Sequence, residues 1–176
     1  MKPASTSVRP ELDDDVVRRD CRWEAFRGPG PGGQKRNKTS SAVRVTHEPS
    51  GLSALAGESR SQARNRAKAL ERLKHRMAVE LRRPLDLDRF EPPAWLAQPA
   101  GANGSRKLIR QRESHPEALG IVLDVIAAAG GSVSEAASHL GVSTANLVDF
   151  LQRDEEALSY VNRLRASAGL RPLGGA

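Results

Sequence analysis

Residues 28–39 read GPGPGGQKRNKT, in which four glycines and two prolines run directly into basic and polar side chains. The tip Gly32-Gly33-Gln34 carries no acid, base or nucleophile, so its chemistry must be hydrogen bonding. Glycines let a backbone take positive φ and approach another surface closely. Gln34 adds an amide donor and a carbonyl acceptor at the same point. Lys35, Arg36 and Lys38 follow at once and suit phosphate contacts, with Asn37 and Thr39 as polar neighbours. Pro29 and Pro31 restrict the unfolded alternatives, so ordering such a tip costs less. A neutral hydrogen-bonding tip on a cationic stem fits reaction chemistry conducted inside RNA.

Two other phosphate motifs are excluded by context. Gly28, Gly30 and Gly33 satisfy G-x-G-x-x-G, but Gln-Lys-Arg-Asn-Lys follows rather than an apolar helix face, and no βαβ unit surrounds it. A P-loop needs Lys directly after its last glycine, then Ser or Thr; here Gln34 intervenes. The single Cys21 excludes an internal disulfide, and His47, His75, His115 and His139 are scattered without zinc-site spacing, so no metal and no cofactor are expected.

The elements that hold this stretch follow from pattern. ELDDDVVRRD, with acids early and arginines late, suits one or two helical turns. CRWEAF predicts a strand ahead of the glycines. SAVRVTH alternates Val43 and Val45 with Arg44 and Thr46, a half-buried strand, and after the turn EPSG the run LSALAGE predicts its hairpin partner. From Ser59 to Arg83 there is no Gly or Pro. Ala63, Ala67, Leu70, Leu73, Met77 and Leu81 form one apolar stripe, and Arg60, Arg64, Lys68, Arg72 and Arg76 are placed together on another face. The expected fold class is α+β: a small, mainly antiparallel sheet with one long packed helix, then a linker and a small helical segment. The expected divisions are 1–20, an N-terminal segment partly disordered or a short helix; 21–83, the domain carrying the glycine loop; 84–112, a Pro/Gly/Ala-rich linker with a basic patch; and 113–176, helical and helix-turn-helix-like.

Charge sharpens the picture. The 176 residues carry a net +7, yet Arg22 to Arg83 alone holds 15 Lys and Arg against 5 Asp and Glu, a net +10, leaving −3 elsewhere. Such a basic module favours an anionic partner such as RNA. No signal peptide or long apolar run is present, so a cytoplasmic protein with no membrane partner is expected.

GPGGQ with N-K-T behind it, then SAVRVTHEPSG, then ESRSQARNRAKALERL, resembles the peptidyl-hydrolase domain of bacterial-type class I peptide chain release factors over residues 21–83. The resemblance implies that Gly32, Gly33 and Gln34 enter the peptidyl-transferase centre of the large ribosomal subunit. There the family hydrolyses the ester of P-site peptidyl-tRNA with water as nucleophile. The Gln34 backbone N–H is the implied donor to charge developing in the transition state, and its side chain places water. Lys35, Arg36, Asn37, Lys38, Thr39, Arg60, Arg64, Arg66, Lys68 and Arg72 are implied to hold the loop and grip ribosomal RNA. Gln34 is also a candidate for methylation by a methyltransferase. Lys35-Arg36 replace the family's usual His-Val. Only about 20 residues precede the domain, so the chain is more similar to the short, codon-independent members that rescue stalled ribosomes. It departs from them in having no Lys/Arg-rich tail.

Downstream, Trp95 and Leu96 are candidates to dock on the first domain, and RKLIRQR is the basic stretch of the linker. IVLDVIAAAGG, SVSEAASHLGVSTANLVDFLQRD and EEALSYVNRLRASAG predict three helical segments. The middle one has helix-turn-helix spacing, with the turn at Gly141 and Ala137, Leu140, Val142, Leu147 and Phe150 inward. Its second helix runs into Asp149, Asp154, Glu155 and Glu156 against Arg153 alone, which suits an adapter better than a major-groove reader. The alternatives to an enzyme are a non-catalytic ribosomal RNA-binding module and, less favoured, a helix-turn-helix regulator.

Overall fold

Asp13 begins the first regular element: its carboxylate accepts the backbone N–H groups of Asp15 and Val16, capping helix α1 (Asp14–Arg19). The structure is a computed structural model that describes residues 8–26, 41–99, 106–109 and 115–174. It is of the α+β class, and it divides into two compact units, Met1–Met77 and Ala78–Ala176.

In the first unit, β1 (Cys21–Phe26), β2 (Ala42–His47) and β3 (Ser53–Ala56) form an antiparallel sheet in the order β1-β2-β3. Its register places Val43, Val45, Ala54 and Ala56 on one face, all buried, while Arg44 and Leu55 are paired on the other and exposed. Strand period two produces this split. Helix α2 (Gln62–Glu80) contributes Leu70, Leu73 and Met77 to the core. Its last turn, Ala78–Glu80, belongs to the second unit.

The expected helix faces need two corrections. Ala63 and Ala67 are exposed, whereas Asn65 and Ala69 are buried. At about 100° per residue, Ala67 lies within about 20° of the buried Lys74 and Ala78, so its exposure reflects its place in the first half of the helix rather than its angle. Ala63 lies in the first turn on the side away from Asn65. The basic residues do not share one face either. A spacing of four advances about 40° per step, so the series sweeps about 120° from Arg64 to Arg76. Arg60 precedes the helix altogether.

The second unit begins with Ala78. The stretch expected to be linker contains a 3-10 turn at Leu87–Arg89 and a two-stranded antiparallel ribbon, β4 (Ala97–Pro99) with β5 (Arg106–Leu108). The apolar residues among its prolines and glycines explain why: Leu96, Ala97, Leu108 and Ile109 are buried. Trp95 remains 43% exposed. Four helices follow: α3 (His115–Ala128), α4 (Val133–Leu140), α5 (Thr144–Gln152) and α6 (Glu155–Ser167). The middle expected segment is thus two helices, split at Gly141, whose φ of +66° and bonds to Ser138 and, through Val142 N–H, to Ala137 make a Schellman turn. Ala137, Leu140, Leu147 and Phe150 are buried; Val142 is half-buried. Asn146, also buried, accepts the Leu108 N–H at 3.0 Å, tying α5 to β5.

Candidate functional site

Strands β1 and β2 flank the glycine-rich stretch in sequence, and their last rung pairs Phe26 with Ala42. Gly32, Gly33, Gln34, Lys35, Arg36, Asn37, Lys38 and Thr39 lie outside the described residues. What is described is the base on which that stretch is mounted. Arg44 lies over the Phe26 ring at 5.7 Å from its centroid, closing the solvent side of the last rung. Opposite, Ala42 is buried so closely that a Cβ on Gly57 would come 3.1 Å from its own.

Ser41, the first described residue after the stretch, is held by α2. The Asn65 side-chain amide donates to the Ser41 carbonyl at 2.6 Å and to the Ser59 carbonyl at 2.8 Å, while its oxygen accepts the Ser59 N–H at 3.0 Å. Ser61 starts the helix, its hydroxyl accepting the Arg64 N–H at 3.4 Å. Asn65 therefore joins the strand entering the sheet to the chain entering the helix. A polar residue in a basic helix gives no periodic signal of burial, and Asn65 lies off the apolar stripe that runs from Ala63 to Leu81.

The expected cations on α2 have different surroundings. Arg60 and Arg64 are exposed. Arg66 is exposed too, its guanidinium 5.9 Å from the Trp23 ring centroid. Lys68 lies 3.6 Å from Glu71. Arg72 donates to the Leu55 carbonyl at 2.6 Å and pairs with Glu58. Glu58 is held below the usual carboxylate range by its own backbone N–H and then by Arg72. Arg76 donates to the Ser53 carbonyl at 2.6 Å. Thus the sweep round α2 carries its later arginines onto the carbonyls of β3, while the earlier ones face solvent.

Two titrating groups border this unit. His47, buried at the end of β2 with Nδ1 2.7 Å from Ser50 Oγ, has its pKa lowered by burial, against the opposing pull of Asp20. Burial, then the charges of Asp20 and Glu48, push the Cys21 thiol up to about 11. Cys21 is thereby kept as the unreactive thiol at neutral pH. Among the described residues, no cluster of three or more His, Cys, Asp or Glu could hold a metal.

The family model of the RF-1 domain matches residues 10–116, more than half of the sequence. The chain belongs to the RF-1 domain family. The RF-1 match includes the β4–β5 ribbon as well as the sheet and α2. Peptide chain release factor 2 of Helicobacter pylori (strain Shi470) is 45% identical over 78 residues, covering 42% of this chain and 22% of the relative. The same figures hold for peptide chain release factor 2 of Helicobacter acinonychis (strain Sheeba). Peptide chain release factor 1 of Lactiplantibacillus plantarum is 48% identical over 77 residues, 42% of this chain and 21% of the relative. The matched part is thus about a fifth of the length of these curated relatives. Among the described residues, no helix is long and apolar enough to cross a membrane.

Proposed function

We propose that this RF-1 domain protein is a ribosome-dependent peptidyl-tRNA hydrolase that releases nascent chains from stalled ribosomes without reading a codon. The observation that carries the reading is the sequence Gly32-Gly33-Gln34 between two paired strands, with Ser41 at the entry to the second bonded to a cationic helix. In this reading the tip enters the peptidyl-transferase centre of the large subunit. The Gln34 backbone N–H stabilises charge on the ester carbonyl as water attacks, and its side chain places that water. One pre-organised donor is worth roughly 3–4 kcal/mol in a dry site, so no general base is required.

Affinity is assigned to the cations. Lys35, Arg36, Lys38, Arg60, Arg64, Arg66, Lys68 and Arg72, with Asn37 and Thr39, meet ribosomal RNA, where each phosphate contact releases counterions. The exposure of Arg60, Arg64 and Arg66 supports this. Arg72 must share itself with Leu55 and Glu58. For codon independence, the support is that Glu117–Ala176 carries 4 Arg and Lys against 7 Asp and Glu, a poor surface for meeting an mRNA codon. That balance also disfavours a major-groove reader, and the Asn146 amide oxygen is already committed to β5. Gln34 is also a candidate substrate for a methyltransferase.

The deciding experiment is single-turnover peptide release from ribosomes programmed with truncated, sense-codon or stop-codon mRNA. Release is expected to be about equal on all three. Gly33→Ala is expected to abolish release while leaving ribosome binding nearly unchanged, and Gln34→Ala to be milder because its backbone N–H remains. A strong stop-codon preference overturns the rescue reading. Full activity of Gly33→Ala, or none in the unaltered protein, overturns the enzyme in favour of an RNA-binding module.

A further inference from the structure

The geometry points to Asn65 as a positioning residue for peptide release, an inference that rests on the hydrolase reading above. We infer that its amide fixes the root of the segment bearing Gln34, and that turnover depends on it while ribosome affinity does not.

Asn65 is 1% exposed and sits one helical turn into α2. Three of the four hydrogen-bonding positions of its amide are used: both N–H groups donate, to Ser41 and Ser59 carbonyls, and the oxygen accepts from Ser59 N–H. The pairing with Ser59 is two-pronged, so it fixes the plane of the amide. The second N–H is thereby aimed at Ser41, 24 residues earlier in the chain. Ser41 precedes the Phe26–Ala42 rung, the last of the β1–β2 ladder among the described residues. Asn65 supplies the constraint one residue beyond it.

That location matters because Gln34 lies seven residues before Ser41. A peptide N–H acting on a transition state must be placed to a fraction of an ångström. A displacement of about 1 Å, even from a change remote from the chemistry, costs on the order of a hundredfold in rate. Side chains that grip phosphates through flexible stems tolerate such a shift. Hence a loosened root affects release and spares binding. Neither aspartate nor alanine reproduces the pattern. Aspartate keeps an acceptor for Ser59 N–H but turns a carboxylate towards two carbonyl oxygens, and alanine removes all three bonds.

The test uses the full chain with Asn65→Ala and Asn65→Asp, on ribosome complexes carrying a radiolabelled peptidyl-tRNA. Three quantities are read: the single-turnover release rate at saturation, the concentration giving half-maximal rate, and hydrogen exchange at the Ser59 amide. Both variants are expected to lose roughly tenfold to a hundredfold in rate with less than about threefold change in half-saturating concentration. Ser59 exchange should rise in Asn65→Ala while the β2–β3 ladder stays protected. Relative to the unaltered protein, Asn65→Asp should regain rate as pH falls towards 5, because protonation restores a donor towards a carbonyl; Asn65→Ala should not. An unchanged rate overturns the inference. So does a parallel loss of rate and affinity with general loss of protection, which marks a residue needed only for folding. If the unaltered protein releases no peptide, the hydrolase reading fails and with it the catalytic consequence. A rise in exchange confined to Ser59 and its neighbours then still upholds the anchoring, and unchanged exchange refutes that as well.

Discussion

Replacing Asp124 tests how the second unit is held together. Asp124, on α3, has a side chain only 2% exposed and accepts the Arg83 N–H at 3.0 Å. The same oxygen lies 3.4 Å from Arg82 Nη1. The Arg82 guanidinium, 21% exposed, also donates to the carbonyls of Ala78 and Val79 and lies 4.6 Å from the Tyr160 ring centroid on α6. One carboxylate therefore secures the C-terminal end of α2, and the cation it pairs with covers an aromatic on α6. Breaking a buried pair from one side costs about 3–5 kcal/mol. Because Arg82 keeps two carbonyls, a ring face and some solvent, the lower end applies, about 3 kcal/mol for Asp124→Ala. Asp124→Asn retains an acceptor for Arg83 and loses only the charge, so about 1–1.5 kcal/mol is expected. The chain has two tryptophans, Trp23 in the first unit and Trp95 in the second. In a Trp23→Phe background, Trp95 fluorescence reports the second unit during urea unfolding. With a urea slope of about 1–3 kcal/mol per M, Asp124→Ala should lower the midpoint by roughly 1–3 M, and Asp124→Asn by about half as much. Asp149→Ala is the control: Asp149 meets Arg153 at 3.3 Å one turn along an exposed face, worth about 0.3–0.5 kcal/mol. An Asp124→Ala shift no larger than that of Asp149→Ala would refute the clamp.

Other expectations follow from single sites. Since burial lowers the His47 pKa in the folded state, stability of the first unit is full above the ordinary imidazole value of 6.5 and declines as pH falls below it towards the lowered one; His47→Gln should flatten urea midpoints measured between pH 7.5 and 5.5. Cys21, with its thiol near 11, should react with a disulfide reagent at pH 8 far more slowly than free cysteine, the rate climbing about tenfold per pH unit; a rate equal to free cysteine contradicts its burial. Gly57→Ala should cost about 1–2 kcal/mol in thermal or urea unfolding, because the new methyl meets Ala42 at 3.1 Å. Arg64→Ala should reduce the slope of log affinity against log salt for ribosomes by about 0.7–0.9 without altering stability, whereas Arg76→Ala, which loses the Ser53 contact, should lower stability first.

Periodicity made the sheet and α2 legible because their signals are local. The Val43–Val45 alternation, the turn at EPSG and a run free of Gly and Pro each specify an element without reference to distant residues. The two-stranded ribbon in residues 97–108 was not legible. Each strand is three residues long, and neither outweighs the Pro and Gly around it. What makes them strands is pairing with each other and the bond from β5 to Asn146, a residue 38 positions away from Leu108. Asn65 escaped notice for the same reason, since its partner Ser41 is 24 residues distant. The motif residues Gly32 to Thr39 rest on the sequence alone, whereas for Arg66 the structure adds the Trp23 ring, a neighbour 43 positions away that no local pattern gives.

Charge is distributed differently along α2 than along α1 and α6. Helix α1 begins with Asp14 and Asp15 and ends with Arg18 and Arg19; α6 begins with Glu155 and Glu156 and ends with Arg165. Each obeys the helix dipole. Helix α2 does the reverse: it has no acid in its first turn and no base in its last, with Arg64, Arg66 and Lys68 in its first half. A cation in the first turn of a helix costs about 0.3–1 kcal/mol, which falls on Arg64, whereas Arg72 and Arg76 lie further along and bond β3 carbonyls. A phosphate placed among the first cations reverses the sign, since both the helix end and the guanidinium groups then face an anion. Helix α5 has neither a first-turn acid nor a last-turn base, so what sets α2 apart is the arginine in its first turn. On the reading proposed above, that departure from folding preference serves RNA contact, on the same helix whose Asn65 bonds the Ser41 carbonyl.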